Sequence, residues 1–471
     1  MRKTKIVCTL GPATDNKASL KKLIKAGMSV ARINMSHGTH DEHRQRISDI
    51  KELREELQIP VAILADSKGP EVRVKKFIGG KAELVKGDKF SLLSEDILGD
   101  NTRASITYPN LYKCVKPGNF ILINDGFIEV LVDSVSPKEI VTTVIHGGEI
   151  SNNKSINLPD ADIDMDYISD VDRRDFLFAI EQNVDFIALS FVRTADDVQA
   201  VKDILIEKNA DDIQLIAKIE NQQGVNNLSS ILDIADGAMV ARGDMGVEIA
   251  FDKLPGIQKD MIKTCYERGK IVITATQMLE SMISSPRPTR AETSDVANAI
   301  HDGTSATMLS GETAVGKFAI ETVKTMAKIA LSAESNTEYE RRFRERKQSV
   351  TSITDAVSRA TVTASFDLKA KAIVVVSKSG YTARQISKFR PTCPIISVTV
   401  SEKSYQQLAL SWGVVPILAE MKDSSDELFS QAVEKAKETG YIKAGDLIVI
   451  SAGIPVGVTG TTNTLRIEYV K

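Results

Sequence analysis

Eight short runs of β-branched and other apolar residues recur through the first two thirds of the sequence, and amphipathic segments separate most of them. In ASLKKLIKA from Ala18 and HRQRISDIKELREEL from His43, apolar residues have helical spacing and charges occupy the other face. Continuous apolar strands that alternate with helices indicate a parallel sheet covered on its outer side. Eight such units predict a (β/α)₈ TIM barrel, with its functional residues at the carboxyl ends of the strands. The runs are KIVCTL from Lys5, SVARINM from Ser29, VAILAD from Val61, DFIALSF from Asp185, IQLIAKIE from Ile213, GAMVARGD from Gly237, IVITATQ from Ile271 and ATMLSG from Ala306.

The repeat is interrupted between the third and fourth runs. Over residues 71–166, short strand patterns are separated by turn signals such as KPGNF from Lys116 and NDGF from Asn124. We predict an inserted all-β domain here, with the barrel formed by residues 1–70 and 167–345. Because the insertion leaves the barrel at the end of strand three, we expect it to be a lid that excludes water.

Residues 346–471 again alternate strands with helices, and they predict a C-terminal open-sheet α/β domain. The charged segment EYERRFRERKQS from Glu338 precedes it, and its interrupting glutamates favour a solvated linker helix over a nucleic-acid site. The predicted strands are AIVVVS from Ala372, PIISVTV from Pro394, VVPIL from Val414, DLIVIS from Asp446 and LRIEYV from Leu465.

Composition excludes several classes of partner and site. The 471 residues carry a formal net charge of -3, which gives no electrostatic reason to expect nucleic acid or an anionic membrane as a partner. The four cysteines form no Cys-x-x-Cys or His-flanked pattern, so neither a zinc site nor a disulfide framework is indicated. No apolar run reaches membrane-spanning length. We therefore expect a cytoplasmic protein.

The segment LIAKIENQQG from Leu215 places Lys218 and Glu220 on one face of the fifth strand, because side chains alternate along a strand. A cation and a carboxylate side by side at the tip of a buried strand suit a site for metal and phosphate. Taken alone, the pair also fits an ordinary salt bridge at the barrel rim.

Other strands end in polar residues as well, and packing gives no reason for so many to converge at one rim. Glu220 and Asp244 suit a hard divalent ion such as Mg²⁺, and Arg32 and Lys218 would then face a phosphoryl group. Backbone donors in RGDMG, from Arg242, would suit a substrate carboxylate. The polar residues at the strand ends are Arg32, Asn34, Ser36, Asp66, Ser67, Lys68, Glu71, Arg73, Lys218, Glu220, Arg242, Asp244, Thr276, Gln277 and Ser310.

One competing motif is GETAVGKF from Gly311, which nearly matches the phosphate-binding P-loop. That motif requires Ser or Thr after its lysine to bind Mg²⁺, and Phe318 stands there instead. The match is therefore a weak one.

Eight segments resemble motifs of the pyruvate kinase family, in that family's order, and the resemblance covers nearly the whole chain. It implies transfer of the phosphoryl group of phosphoenolpyruvate to ADP, which gives pyruvate and ATP, and it suggests a homotetramer. Phosphoryl transfer depends on charge neutralisation and positioning, which agrees with a site of cations and metal ligands. The segments are KIVCTLGPAT, ARINMSHG, DSKGPEVR, IAKIENQQGV, ARGDMGVEI, TATQMLESM, PTRAETSDVANA and MLSGETA.

The resemblance also implies roles for matching positions. Lys218 would stabilise the transferring phosphoryl group and the enolate oxygen, and Arg32 would hold the phosphate. Glu220 and Asp244 would bind Mg²⁺ (or Mn²⁺), while Thr276 and Ser310 would lie near the enolate carbon in a water-linked proton path. The substrate-binding residues would be Arg32, Lys218, Gly243, Asp244, Thr276 and Arg73.

A K⁺ site is implied in the same way, with Asn34, Ser36, Asp66 and the carbonyl of Ser67 as ligands. In related enzymes a glutamate at the position of Glu71 accompanies potassium dependence, and a lysine there accompanies independence.

The segment SKSGYTAR, from Ser377, predicts an anion site where the strand AIVVVS ends and a helix begins near Tyr381. Ordinary helix capping would explain one hydroxyl but not several polar groups with a lysine. This loop resembles the family's sugar-phosphate effector loop, and GIPVGVTGTTN from Gly453 would close over the ligand. A sugar phosphate or AMP is therefore the expected effector. The predicted effector-binding residues are Ser377, Lys378, Ser379, Gly380 and Thr382.

Two other kinds of protein stay open at this point. A related barrel lyase acting on phosphoenolpyruvate or pyruvate could share the metal carboxylates, but it has no need of the inserted domain or of Lys218. A non-catalytic sugar-phosphate sensor would not need the polar residues at the strand ends.

Overall fold

A computed structural model describes residues 1–471 except 160, 162, 164, 346–349, 351, 421, 423, 424 and 455–461. The chain begins with three parallel strands and two helices between them, and Asn16 and Thr39 cap the helices by accepting hydrogen bonds from backbone N–H groups. These elements are β1 (Lys5–Thr9), α1 (Lys17–Ala26), β2 (Val30–Asn34), α2 (His40–Leu57) and β3 (Ala62–Asp66).

The inserted β domain follows β3 and has its own apolar core, which includes Phe90, Ile121 and Val130. It forms a seven-stranded sheet of order β4-β12-β8-β9-β10-β6-β7 and a two-stranded sheet of β11 and β5. The strands are β4 (Val72–Arg73), β5 (Lys81–Leu84), β6 (Lys89–Leu93), β7 (Arg103–Ser105), β8 (Phe120–Ile123), β9 (Ile128–Val135), β10 (Glu139–His146), β11 (Gly148–Ser151) and β12 (Ser155–Asn157).

Five further strands close the barrel in the order β1-β17-β16-β15-β14-β13-β3-β2, with every neighbouring pair parallel. The predicted fold class is therefore confirmed. The elements are α3 (Asp170–Glu181), β13 (Phe186–Leu189), α4 (Ala195–Glu207), β14 (Gln214–Ile219), α5 (Gln222–Asn226), α6 (Leu228–Ile234), β15 (Gly237–Ala241), α7 (Arg242–Glu248), α8 (Leu254–Glu267), β16 (Ile271–Ala275), α9 (Arg290–Asp302), β17 (Ala306–Leu309), α10 (Gly311–Ala314) and α11 (Ala319–Ser335).

The barrel interior is filled by side chains such as Phe186, Ile216 and Met239, so it is a packed core. Ala409 and Leu410 of the C-terminal domain belong to the same buried cluster. The C-terminal domain therefore packs directly against the barrel.

The C-terminal sheet has the order β20-β19-β18-β21-β22, and only the β21–β22 pair is antiparallel. Since β19 lies on one side of β18 and β21 on the other, the strand order reverses at β18. The elements are α12 (Tyr339–Glu345), α13 (Ile353–Asp367), β18 (Ala372–Val376), α14 (Tyr381–Ser387), β19 (Ile395–Thr399), α15 (Glu402–Gln407), β20 (Val414–Leu418), α16 (Ser425–Glu438), β21 (Leu447–Gly453) and β22 (Thr462–Tyr469).

The linker helix α12 is less solvated than the charge pattern indicates. Tyr339 is buried, and its ring contacts Trp412 edge-on with centroids 5.4 Å apart. Phe343 packs against the same apolar cluster of the C-terminal domain. The charge pattern therefore gave no sign that Tyr339 and Phe343 are packed against the C-terminal domain. Residues 346–349 of this segment lie outside the described residues.

We propose residues 71–166 as the bounds of the inserted domain, since β3 ends at Asp66 and α3 begins at Asp170. Asp160, Asp162 and Asp164 of the return segment lie outside the described residues. None of the described helices combines the length and hydropathy needed to cross a bilayer.

Candidate active site

Four charged side chains form a buried cluster at the carboxyl ends of β2, β3 and β14. Asp66 Oδ2 accepts a hydrogen bond from Arg32 Nε at 2.6 Å, and Asp66 Oδ1 lies 3.0 Å from Lys218 Nζ. Lys218 Nζ also lies 3.0 Å from Glu220 Oε1. All four side chains are at most 11% exposed. Even when buried charges are paired, apolar residues of similar volume often give equal or greater stability. The cluster therefore indicates a functional requirement.

The cluster sets the protonation of its members. Burial alone would lower the pKa of Lys218, but Asp66 and Glu220 raise that pKa above its usual value and keep the ammonium group charged. Burial would raise the pKa of Asp66, yet Arg32 and Lys218 lower it. Burial raises the pKa of Glu220, Lys218 opposes this rise, and the charge of Asp244 adds to it.

Glu220 and Asp244 fit a divalent cation. Glu220 Oε2 accepts the N–H of Phe191 at 2.6 Å, whereas Oε1 is buried without a hydrogen-bond partner among the described residues. That oxygen lies near the ammonium group of Lys218, but the pair does not have hydrogen-bond geometry. Asp244 is exposed in the first turn of α7. No larger cluster of His, Cys, Asp and Glu occurs in the described part of the chain, and Mg²⁺ needs only one or two carboxylates.

Two of the residues predicted to bind K⁺ lie on adjacent strands, since Asn34 of β2 is in register with Asp66 of β3. Asn34 Oδ1 accepts the N–H of Ser36 at 3.2 Å. The carbonyl of Ser67 accepts a hydrogen bond from Ser190 Oγ at 2.7 Å, and a carbonyl oxygen has a second lone pair for a cation. These groups offer oxygen ligands at one end of the charged cluster.

Sequence reasoning missed Ser190, which follows β13 and is 2% exposed. Its Oγ accepts a hydrogen bond from Lys218 Nζ at 2.6 Å and donates to Ser67 as described. It is the hydroxyl at the end of the fourth barrel strand, in DFIALSF. The rule that identified the other residues at strand ends would have found it.

Thr276 and Gly243 meet at the ends of β16 and β15. Gly243 N–H donates to Thr276 Oγ1 at 2.7 Å, so this backbone donor is not free for a substrate. Ser310, at the end of β17, donates its N–H to Glu312 Oε2 at 2.7 Å. Its Oγ is buried and has no hydrogen-bond partner within the described residues, so it can meet a ligand or a water.

Two predicted arginines are held by protein groups. Arg73 lies in β4 of the inserted domain, where it binds Glu71 Oε2 at 2.6 Å and the carbonyl of Asn153 at 2.6 Å. Arg242 pairs with Asp295 Oδ2 at 2.6 Å. The structure thus ties Arg242 to α9, a contact that sequence reasoning did not foresee.

The predicted effector residues surround the end of β18. Thr382 Oγ1 lies 2.6 Å from Thr462 Oγ1, and the carbonyl of Lys378 accepts a hydrogen bond from Thr399 Oγ1 at 3.0 Å. Gly380 has φ +70°, and a Cβ there would lie 2.9 Å from Leu408 Cδ2, so glycine is favoured at this turn. Of the closing segment GIPVGVTGTTN, Pro455–Thr461 lie outside the described residues.

Comparison with known proteins identifies the family. A family model described as "Pyruvate kinase, barrel domain" matches residues 1–323, and one described as "Pyruvate kinase, alpha/beta domain" matches residues 355–468. The chain belongs to the pyruvate kinase family. Pyruvate kinase from Clostridium acetobutylicum is 48% identical over 473 residues and is covered in full by this chain. Pyruvate kinase from Staphylococcus aureus strain USA300 is also 48% identical over 473 residues, which are 81% of its length.

Membership of this family confirms the predicted class of enzyme, a phosphotransferase of glycolysis. It favours neither the barrel lyase nor the non-catalytic sensor, because both parts of the chain match pyruvate kinase models. Metal cofactors and the substrates phosphoenolpyruvate and ADP are implied by the family.

Proposed function

We propose that the chain transfers the phosphoryl group of phosphoenolpyruvate to ADP, giving pyruvate and ATP, in the last step of glycolysis. The observation that carries this proposal is the buried cluster of Arg32, Asp66, Lys218 and Glu220. It places two cations beside the buried carboxylates of Asp66 and Glu220. That combination suits an anionic phosphoryl group together with a divalent metal.

In this proposal Glu220 and Asp244 would hold Mg²⁺ (or Mn²⁺), which would neutralise charge on the substrate oxygens. Asp66 and Ser190 fix the ammonium group of Lys218 by an ion pair of 3.0 Å and a hydrogen bond of 2.6 Å. Lys218 is thereby held against the phosphoryl group and the enolate oxygen. Because Lys218 is oriented before the substrate binds, its charge needs little reorganisation during transfer.

We propose that Thr276 and Ser310 take part in proton transfer to the enolate carbon. Neither residue has a pKa suited to act alone as an acid near neutrality, so they orient a water. The hydroxyl of Ser310, which has no hydrogen-bond partner among the described residues, supports this assignment.

A lactate-dehydrogenase-coupled assay tests the proposal. With phosphoenolpyruvate, ADP, Mg²⁺ and K⁺ present, we expect pyruvate formation that depends on every one of them. Removal of divalent metal with EDTA should abolish the activity, and added Mg²⁺ or Mn²⁺ should restore it. Pyruvate formation without ADP would instead favour a phosphatase or a lyase.

We propose that K⁺ binds Asn34, Ser36, Asp66 and the carbonyl of Ser67. Glu71 is then expected to set the cation requirement, because in related enzymes a glutamate at this position accompanies potassium dependence and a lysine accompanies independence. Glu71→Lys should retain activity when tetramethylammonium replaces K⁺, and wild type should lose most of its activity there. Turnover rates in the two buffers give the comparison.

The control for this prediction is Glu149→Lys, in an exposed ion pair with Lys81 of the same domain. It reverses the same charge on the same domain and should leave the K⁺ requirement intact. Full wild-type activity in the potassium-free buffer would refute the assigned K⁺ site.

We also propose an effector site for a sugar phosphate or AMP at Ser377, Lys378, Ser379, Gly380 and Thr382. Ligands of open α/β sheets bind beyond the carboxyl ends of the strands, where the strand order reverses. In this sheet the reversal is at β18, and the predicted loop follows β18 directly. Binding the active state more tightly would couple this site to catalysis by about 1 to 3 kcal/mol.

Lys378→Ala combined with Ser379→Ala should abolish activation measured at sub-saturating phosphoenolpyruvate. Thr382 is left intact because its hydroxyl pairs with Thr462 and its loss would disturb the fold. The ligands to titrate are fructose 1,6-bisphosphate, ribose 5-phosphate and AMP. Lys371→Ala is the matched control, an exposed lysine at the opposite end of β18. A wild type that responds to none of these compounds, or a double variant that responds equally, would contradict the site.

By resemblance to the family we further propose a cytoplasmic homotetramer. Light scattering coupled to size-exclusion chromatography should give a mass near four times 51.4 kDa.

A further inference from the structure

The two residues after β16 have an unusual backbone. Thr276 has φ +66° and Gln277 has φ +53°. Residues other than glycine rarely adopt this left-handed region, and a β-branched residue such as threonine adopts it least readily. Something in the surroundings must therefore hold this segment in place.

Arg242 holds it. Its Nη2 donates to the carbonyl of Thr276 at 2.7 Å and to that of Gln277 at 3.2 Å, and its Nε lies 3.3 Å from the carbonyl of Ala275. One guanidinium group thus binds three successive carbonyls. Its Nη1 binds Asp295 Oδ1 at 2.8 Å and Oδ2 at 2.6 Å, and lies 3.4 Å from Gln258 Oε1.

These contacts occupy all three nitrogens of Arg242 with protein groups, so no nitrogen is reserved for a phosphoryl group. They also determine where the Thr276 hydroxyl lies. Its Oγ1 accepts the N–H of Gly243 at 2.7 Å and donates to the carbonyl of Ala275 at 2.6 Å. The hydroxyl is therefore fixed beside Gly243 and one residue from Asp244.

We propose that Arg242 and Asp295 are positioning residues that hold Thr276 in its left-handed conformation and so place its hydroxyl for the reaction. Asp295 orients the guanidinium group, and the guanidinium group in turn fixes three backbone carbonyls by hydrogen bonds. The proposal rests on the function proposed above, because it assigns Thr276 to proton transfer at the enolate carbon.

The test uses Arg242→Lys, which keeps the charge but cannot bind three carbonyls from one planar group. We expect kcat to fall by about 30-fold or more while KM for phosphoenolpyruvate changes by less than about 3-fold. Asp295→Asn should change kcat in the same direction by a smaller factor. Thermal melting and circular dichroism report whether each variant is folded. If Arg242→Lys does not fold, the kinetic constants of Asp295→Asn test the proposal instead.

Two combined variants separate positioning from a general loss of structure. Adding Arg242→Lys to Thr276→Ala should lower kcat by less than about 3-fold further, because both changes remove the same placement. Adding Gln277→Gly to Arg242→Lys should give a higher kcat than Arg242→Lys alone, because glycine adopts positive φ without strain.

Two results would overturn the proposal and indicate that Arg242 binds the substrate. One is a kcat loss in the Arg242→Lys, Thr276→Ala double variant equal to the product of the two single losses. The other is a rise of about 10-fold in KM for phosphoenolpyruvate in Arg242→Lys. Absence of recovery by Gln277→Gly would likewise overturn it. An inactive wild type would overturn the proposed reaction itself, so failure of the two proposals can be told apart.

Discussion

Replacing Lys218 with methionine is expected to lower kcat by about 100-fold or more, which corresponds to a loss of about 3 kcal/mol of transition-state stabilisation. In the proposed reaction, the ammonium group matters most as charge develops on the phosphoryl and enolate oxygens. Binding of phosphoenolpyruvate and Mg²⁺ should change little, because Arg32, Glu220 and Asp244 remain. The coupled assay gives kcat, and isothermal titration calorimetry gives the two affinities.

Lys259→Met is the control for this experiment, since Lys259 is an exposed lysine paired with Asp302 at 2.9 Å. It removes the same charge and should leave kcat unchanged. Near-normal turnover of a folded Lys218→Met variant would exclude Lys218 from the reaction.

Replacing Asp66 with alanine is expected to lower the free energy of unfolding by about 3 kcal/mol or more, because breaking a buried ion pair leaves charges uncompensated. Asp66 is 0% exposed and faces both Arg32 and Lys218. Its loss would leave two buried cations with Glu220 as the nearest carboxylate of the cluster. Urea unfolding of the two proteins measures the change, and the midpoint should fall markedly.

Asp133→Ala serves as the control here, because Asp133 pairs with Lys89 at the surface of the inserted domain. Its urea midpoint should match that of wild type. An equal midpoint for Asp66→Ala would show that the buried cluster does not depend on Asp66.

The barrel could be predicted from the sequence because its strands are buried on both sides. Such strands appear as continuous apolar runs, and β13 and β16 correspond to DFIALSF and IVITATQ. The site followed from the same reasoning, since the parallel strands of a barrel all end at one rim. The sequence therefore predicts that Lys218, Asp66 and Arg32 lie near one another.

The missing details depend on side-chain directions and backbone angles that periodicity does not encode. Asp295 lies on α9 and reaches Arg242 only through the packing of that helix against the barrel. The positive φ of Thr276 could not be foreseen, because threonine is among the residues least suited to it. The burial of the Tyr339 ring could not be predicted, because charged residues surround Tyr339 in the sequence.

We propose direct transfer of one phosphoryl group from phosphoenolpyruvate to ADP at the Lys218 cluster. A ³¹P NMR time course of the purified chain with phosphoenolpyruvate, ADP, Mg²⁺ and K⁺ tests it most directly. The loss of the phosphoenolpyruvate signal should be matched by the growth of the γ-phosphate signal of ATP, and Lys218→Met should show neither change on the same time scale. Release of inorganic phosphate in place of ATP, or equal conversion by Lys218→Met, would contradict the claim.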